Sequence, residues 1–188
     1  RAGARSPEDL ARMWADIIAG ERFEEMEPAT PAEDFATALN VPGPVAAEWL
    51  RVLGTKSAAQ YGHCLTIRPP MQIRTNTIKI TRDELIKTLE NEGVETVAVD
   101  GVDTALTVQG RANLVATKAF ASGLFEVQDA SSQRMCAALP IVAGTRVLDL
   151  CAGAGGKSLA LAARGAQITA TDIREKALAE LEKRALRA

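Results

Sequence analysis

Between residues 147 and 158 the chain reads Val-Leu-Asp-Leu-Cys-Ala-Gly-Ala-Gly-Gly-Lys-Ser, an apolar run that gives way to small residues and then to a helical pattern. A buried strand that passes into a helix through glycines turns the helix's unpaired N–H groups toward a ligand, and Gly153, Gly155 and Gly156 let that ligand approach the backbone. Three chemistries use such a turn. The phosphate-cradling loop of a nucleoside triphosphatase ends in Gly-Lys-Ser, as Gly156-Lys157-Ser158 does, but it needs glycine where Cys151 stands. A dinucleotide site asks for Gly-x-Gly-x-x-Gly; Gly153 and Gly155 fit, and Ser158 replaces the third glycine. A site for the methyl donor S-adenosylmethionine asks for a small-residue loop flanked by two strand-end acids. Asp149 is the first, and Asp172, closing Ile168-Thr-Ala-Thr-Asp, is the second. The carboxylate of Asp172 is placed to accept hydrogen bonds from both ribose hydroxyls. The competing role is a helix cap, which Asp129 fits as well. For Asp129 the two roles stay open; for Asp172 the strand end after a glycine loop favours the ligand.

The three cysteines, Cys64, Cys136 and Cys151, are an odd number without metal-ligand spacing, which argues for reduced thiols and a cytoplasmic protein. Cys151 reads as a packing residue of the loop, and Cys64 and Cys136 as core residues of helices. Apolar (47%) and charged (24%) fractions are those of an ordinary globular chain. No apolar run reaches the roughly eighteen residues of a membrane span, and residues 1–16 lack the pattern of a secretory signal. The formal net charge of −2 argues against a protein that coats nucleic acid generically. Within that neutral chain, however, Arg68, Arg74, Lys79, Arg82 and Lys87 face only Asp83 and Glu84 up to residue 87. Such a basic strip is either a solvated surface or the grip on one RNA feature.

Periodicity supplies the elements that hold these residues. Residues 1–66 read as helical: a start at Ser6-Pro7, a stripe of Leu10, Met13, Trp14, Ile17 and Ile18, and a polar loop over residues 21–34. A second helix opens at Pro44 and ends at Gly54, and a third runs from Ser57 to about Leu65. Residues 67–118 form a small α+β unit, with a strand over residues 71–80 and a helix begun by the capping box Thr81-Arg-Asp-Glu84 and ended at Gly93. Two short strands follow, over residues 94–99 and 105–108. Residues 119–188 alternate strands (124–127, 146–150, 166–171) with helices (from Asp129, 156–164, 174–187), which predicts a parallel sheet with right-handed crossovers. The fold class is thus α/β: the first half of a Rossmann-type sheet, preceded by a small α+β subdomain and a helical region. The chain opens on Arg1 and stops at Ala188 inside a helical pattern, so a piece of a longer protein is expected.

In its motifs the chain resembles the NOP/Sun family of RNA cytosine methyltransferases, in particular the bacterial Sun-type enzymes acting on small-subunit ribosomal RNA. The resemblance covers about residues 69–188. It rests on Arg74-Thr-Asn76 with Lys79, on Gly110-Arg-Ala-Asn113, on Gly123-Leu-Phe-Glu-Val-Gln-Asp129-Ala-Ser-Ser-Gln133, on Asp149-Leu-Cys-Ala-Gly-Ala-Gly-Gly-Lys157, and on Asp172 followed by Leu178, Leu181 and Arg187. The helical N-terminus is similar to the NusB-like RNA-binding domain of the Sun-type enzymes. The resemblance implies a class I methyltransferase in which Cys151, Ala152, Gly153, Ala154, Gly155, Gly156 and Lys157 line S-adenosylmethionine and Asp172 holds its ribose. Gly153-Ala154 departs from the Ala-Pro of many members, which keeps the residues small but frees the loop. The α+β unit becomes an RNA-recognition-like subdomain, with Arg68, Arg74 and Lys79 as RNA contacts, and the protein a monomer acting on RNA.

Carbon 5 of cytosine is a poor nucleophile; in this family a thiolate adds to carbon 6 before the methyl group is taken, and a second thiol removes the proton. Those thiols lie in Pro-Cys and Thr-Cys motifs, and neither dipeptide occurs here. No catalytic residue is therefore expected within the chain, which supplies donor- and RNA-binding parts and is expected to be inactive alone. A non-catalytic RNA-binding module and a nucleotide-binding oxidoreductase are the other readings.

Overall fold

The computed structural model describes residues 32–188; the helix expected from Ser6 through Ile18 lies outside them. The chain divides into two units, Arg1–Pro69 and Pro70–Ala188. In the first, α1 (Ala32–Leu39) lies partly where a loop was expected. Its signal was the acidic first turn, Glu33 and Asp34, ahead of Phe35 and Leu39, which it buries. α2 (Gly43–Thr66) is one run whose backbone leaves helical geometry at Gly54 (φ 72°, ψ 164°), so the two expected helices meet end to end at that glycine. Phe35, Leu39, Ala46, Ala58 and Ala59 form the core between α1 and α2. At Gly62 a Cβ would stand 2.1 Å from a Leu39 methyl carbon, so a side chain there would have to displace the buried Leu39.

The second unit opens with a four-stranded sheet of order β2-β3-β1-β4, all pairs antiparallel. Its elements are β1 (Gln72–Thr75), α3 (Arg82–Asn91), β2 (Thr96–Ala98), β3 (Ala105–Val108), the short helix α4 (Lys118–Ala121) and β4 (Phe125–Val127). This βαββαβ order is the ferredoxin-like split βαβ arrangement. The helix α3 begins as expected, with Thr81 and Glu84 exchanging side-chain-to-backbone hydrogen bonds. Two expectations are corrected. The strand over residues 71–80 stops at Thr75, because Asn76 turns the chain: its carbonyl accepts from the amides of Lys79 and Ile80, and its side chain from that of Ile78. The boundary at residue 118/119 cuts through this unit, since the segment of residues 124–127 pairs with β1 rather than entering the parallel sheet.

Alternation along the strands gives the sheet two different faces. Ile73, Leu106 and Phe125 are buried against Leu85 and Leu89 of α3. Gln72 and Arg74 of β1 and Glu126 of β4 point the other way, toward the remainder of the unit. There, α5 (Ala130–Ala138) leads to the parallel pair β5 (Arg146–Asp149) and β6 (Gln167–Ala170), with α6 (Gly156–Ala162) between them and α7 (Glu175–Arg187) after. Cys136, Ala160 and Leu161 pack against Val147 and Ile168 beneath this pair. The parallel strand–helix–strand expected of a Rossmann-type start is present.

Phe125→Ala tests the corrected boundary. Removing a fully buried ring from the ferredoxin-like core should cost about 3–5 kcal/mol in urea denaturation. A loss under about 1 kcal/mol would mean that β4 does not close this sheet.

Candidate functional site

The loop after β5 is held across to the end of β6. The parallel ladder continues past the strands, with the Thr171 amide donating to the Asp149 carbonyl at 2.8 Å and the Ala152 amide to the Thr171 carbonyl at 2.9 Å. The chain then bends through Gly153 (φ 54°) and Gly155 (φ 82°), both in the left-handed region. Gly155 is glycine for a second reason: a Cβ there would lie 2.5 Å from Cγ of Leu181 on α7. The helix behind the loop, not a ligand in front of it, makes that approach. Asp149 accepts from the Ser158 hydroxyl at 2.7 Å, so the first strand-end acid is bound to the helix that follows the loop.

Asp172 sits at the end of β6 with its side chain only 4% exposed. Its Oδ2 accepts from the Gly153 amide at 2.8 Å and its Oδ1 from the Arg174 amide at 2.9 Å. The Arg174 guanidinium donates to both oxygens, at 2.9 and 3.0 Å. That side chain first, then the Arg174 and Gly153 amides, hold the carboxyl well below the usual carboxylate range. A lowered pKa means the tie is present throughout the neutral range and is lost only as pH falls below that of an ordinary carboxylate. The acid thus clasps the glycine loop directly, at the place where the sequence put a ribose contact.

A second set of contacts fixes the same loop to the ferredoxin-like sheet. Gln128 accepts from Nε of Arg74 at 2.8 Å and donates to the Gly156 carbonyl at 3.1 Å. Glu126, directly opposite Arg74 in the sheet register, accepts from Arg184 at 2.8 Å and from Arg187 at 2.6 Å, both on α7. Arg184 also donates to the Ala154 carbonyl at 2.8 Å, and Arg187 lies 3.8 Å over the Phe120 ring, a cation–π contact. Of these residues, Glu126, Gln128, Arg184 and Phe120 were given no role from the sequence; Glu126 and Gln128 were visible only inside a motif. Asp129, whose role was open, is a helix cap: its Oδ1 accepts from the Ser131 amide at 2.7 Å.

Arg74 drops out of the expected basic strip. Arg74 is 5% exposed and bonded to Gln128, with burial pushing its pKa down and the charge of Glu126 opposing that shift. Lys79 donates to the Ser122 and Arg187 carbonyls, at 3.0 and 2.7 Å. Asn76 donates to the Gly123 carbonyl at 2.8 Å. The Arg74-Thr-Asn76 and Lys79 motif therefore fastens the unit together, and Arg68 is exposed in the first unit. Two cysteine readings also change: Cys64 and Cys151 are exposed, while Cys136 is buried as expected and its thiol pKa is pushed up by burial. Cys151, Ala152, Gly153 and Ala154 line the open side of the loop with Lys157, whereas Gly155 is buried. Among the described residues there is no cluster of groups suited to a metal ion, and no helix is long and apolar enough to cross a membrane.

Residues 42–114 match the family described as the ferredoxin-like domain of Methyltr_RsmF/B-like proteins, and residues 114–187 the family described as tellurite resistance protein TehB. Over 116 residues the chain is 36% identical to ribosomal RNA small subunit methyltransferase B of Salmonella arizonae, covering 61% of this chain and 27% of that protein. The chain thus spans about a quarter of the length of the curated relatives it matches. A solved methyltransferase homologue from Pyrococcus horikoshii superposes with a TM-score of 0.75 at 26% identity, covering 86% of this chain and 53% of that one. NSun6 from the same organism, crystallised with SFG, shares the fold at 17% identity (TM-score 0.64, 75% of this chain, 61% of that one). The resemblance read from the motifs is borne out by these matches.

Two substitutions separate the buried from the exposed arginine. Arg74→Ala should cost about 2–3 kcal/mol in chemical denaturation, because it strands Gln128 and removes the cation opposite Glu126. Arg68→Ala should stay within about 0.5 kcal/mol. Equal effects would refute the placement.

Proposed function

We propose that the chain, on the premise of its likeness to the Sun-type ribosomal RNA methyltransferases, is the donor- and RNA-binding part of an enzyme that methylates carbon 5 of a cytosine in small-subunit ribosomal RNA. The observation that carries this reading is the union of the glycine loop and the second strand-end acid: Asp172 reaches across to the Gly153 amide at 2.8 Å. The residues present suit S-adenosylmethionine. Small side chains at Cys151, Ala152, Gly153 and Ala154 leave room over the loop, and the Asp172 carboxylate is an acceptor for ribose hydroxyls. When bound, the donor supplies an electrophilic methyl group; the chain's own part is to bind and orient it.

The nucleoside triphosphatase reading is weakened by the same geometry, since Cys151 follows the strand where the phosphate-cradling loop needs glycine. For RNA, Arg68 and Lys79 are the exposed candidates of the three named, and the Lys79 ammonium is held by the Ser122 and Arg187 carbonyls. The supporting frame is the ferredoxin-like sheet set beside the donor loop, although its inner polar face is taken up by the contacts of Arg74, Glu126 and Gln128. Without a Pro-Cys or Thr-Cys dipeptide, these 188 residues contain none of the family's thiols for the cytosine ring. Methyl transfer by this chain to unmodified small-subunit RNA is expected to stay at background.

Calorimetric titration with S-adenosylmethionine, and separately with NAD and ATP, tests the reading. Binding of the methyl donor alone is expected, and Asp172→Asn should weaken it about tenfold or more. Binding of NAD or ATP in place of the donor would overturn it. Transfer from labelled donor that is abolished by Cys151→Ala would overturn the claim that no catalytic thiol is present.

A further inference from the structure

Every acceptor position of the Asp172 carboxylate is in use. A carboxylate offers about four lone-pair directions. Here they are met by the Gly153 amide and Arg174 Nη2 on Oδ2, and by the Arg174 amide and Nε on Oδ1. The two amides belong to the backbone of the turns on either side and stay where the fold puts them. The two guanidinium donors belong to a side chain that is 68% exposed. They form a fork of parallel N–H groups, which is the geometry in which a vicinal diol presents its two hydroxyls to the same carboxylate. The guanidinium also lies over the loop itself, with Nη2 at 3.5 Å from where a Cβ of Gly153 would be.

We infer that Arg174 is a further residue of the donor site, occupying the ribose positions on Asp172 and setting donor affinity by competing for them. The inference rests on the proposal that Asp172 holds the ribose of S-adenosylmethionine. Binding then requires the guanidinium to swing out while the Gly153 and Arg174 amides keep the carboxylate in place. The loop is therefore already shaped before the ligand arrives, and the exposed cation is the part that moves. Because that cation is exposed and its pair is screened by water, the competition is worth only a modest factor.

Titration of the 188-residue chain with S-adenosylhomocysteine, and with its 2′,3′-dideoxyribose counterpart, reads this directly. Arg174→Ala should tighten the ribose ligand about two- to fivefold and leave the dideoxy ligand unchanged, because only the diol needs the vacated acceptors. Arg174→Lys should fall between, since an ammonium cannot fill both positions at once. Unchanged or weaker binding of the ribose ligand by Arg174→Ala would overturn the competition, weaker binding marking Arg174 as a direct contact to the donor. Equal tightening for both ligands would overturn it as well, by showing that the guanidinium obstructs the loop in general. Asp172→Asn keeps the two failures apart. If that variant binds the ribose ligand as well as the native chain, or if the native chain binds neither ligand, the ribose-holding reading itself fails and takes the competition with it.

Discussion

Glu126 enters the unit from the middle of β4 with its side chain 2% exposed and a guanidinium on each oxygen, Arg184 on Oε2 and Arg187 on Oε1. A carboxylate taken out of water costs several kcal/mol, and only close pairing with hydrogen bonds offsets it. The offset here comes from α7, so the helix after β6 is bound to the edge strand of a different sheet. The same Arg184 holds the Ala154 carbonyl, and Leu181, one turn earlier, presses on Gly155. The position of the glycine loop is thus referred to β4 through one buried charge.

This arrangement explains why the ferredoxin-like sheet carries polar residues on both β1 and β4. An isolated sheet of this size would turn that face to water. Here Gln72 accepts from the Ala130 amide, Gln128 spans Arg74 and the Gly156 carbonyl, and Gln133 donates to the Ile73 and Gln128 carbonyls. Three glutamine amides, each with a donor and an acceptor in use, replace the water. Such contacts are directional, so they fix a relative placement that an apolar interface would specify less closely.

Local signals were read well and partners were not. The capping box at Thr81, the stop at Gly93, the break at Gly54 and the strand–loop–helix at Asp149 all arise from interactions within a few residues, and each stands where the sequence put it. Arg74 was misread because its partners, Gln128 and Glu126, are distant in sequence, 54 residues away in the case of Gln128. A basic residue among basic neighbours looks like surface until the strand opposite it is known. The β4 segment was assigned to the wrong sheet for the same reason, since a strand of only three residues, Phe125-Glu126-Val127, does not say which strand it will pair with. Cys151 follows a strand that was expected to be buried, which suggested packing, yet Leu148 and Leu150 there are exposed and the loop turns Cys151 outward. In the candidate site, the strand-end position of Asp172 was legible, but its pairing with Arg174 depends on side-chain reach that spacing does not encode.

The register of β1 has a consequence for how the protein is made. β3 can pair with β1 once residue 108 has been synthesised, but the opposite side of β1 stays bare until β4 is complete at residue 127. A strand with a bare side is a template for the strand of another chain, and a charge pointing inward from such a strand discourages that pairing. Arg74 is that charge on β1, and the residue that comes to lie opposite it, Glu126, arrives on the strand that closes the gap. The arginine that the finished fold buries thus lies on the strand whose open side the chain closes last.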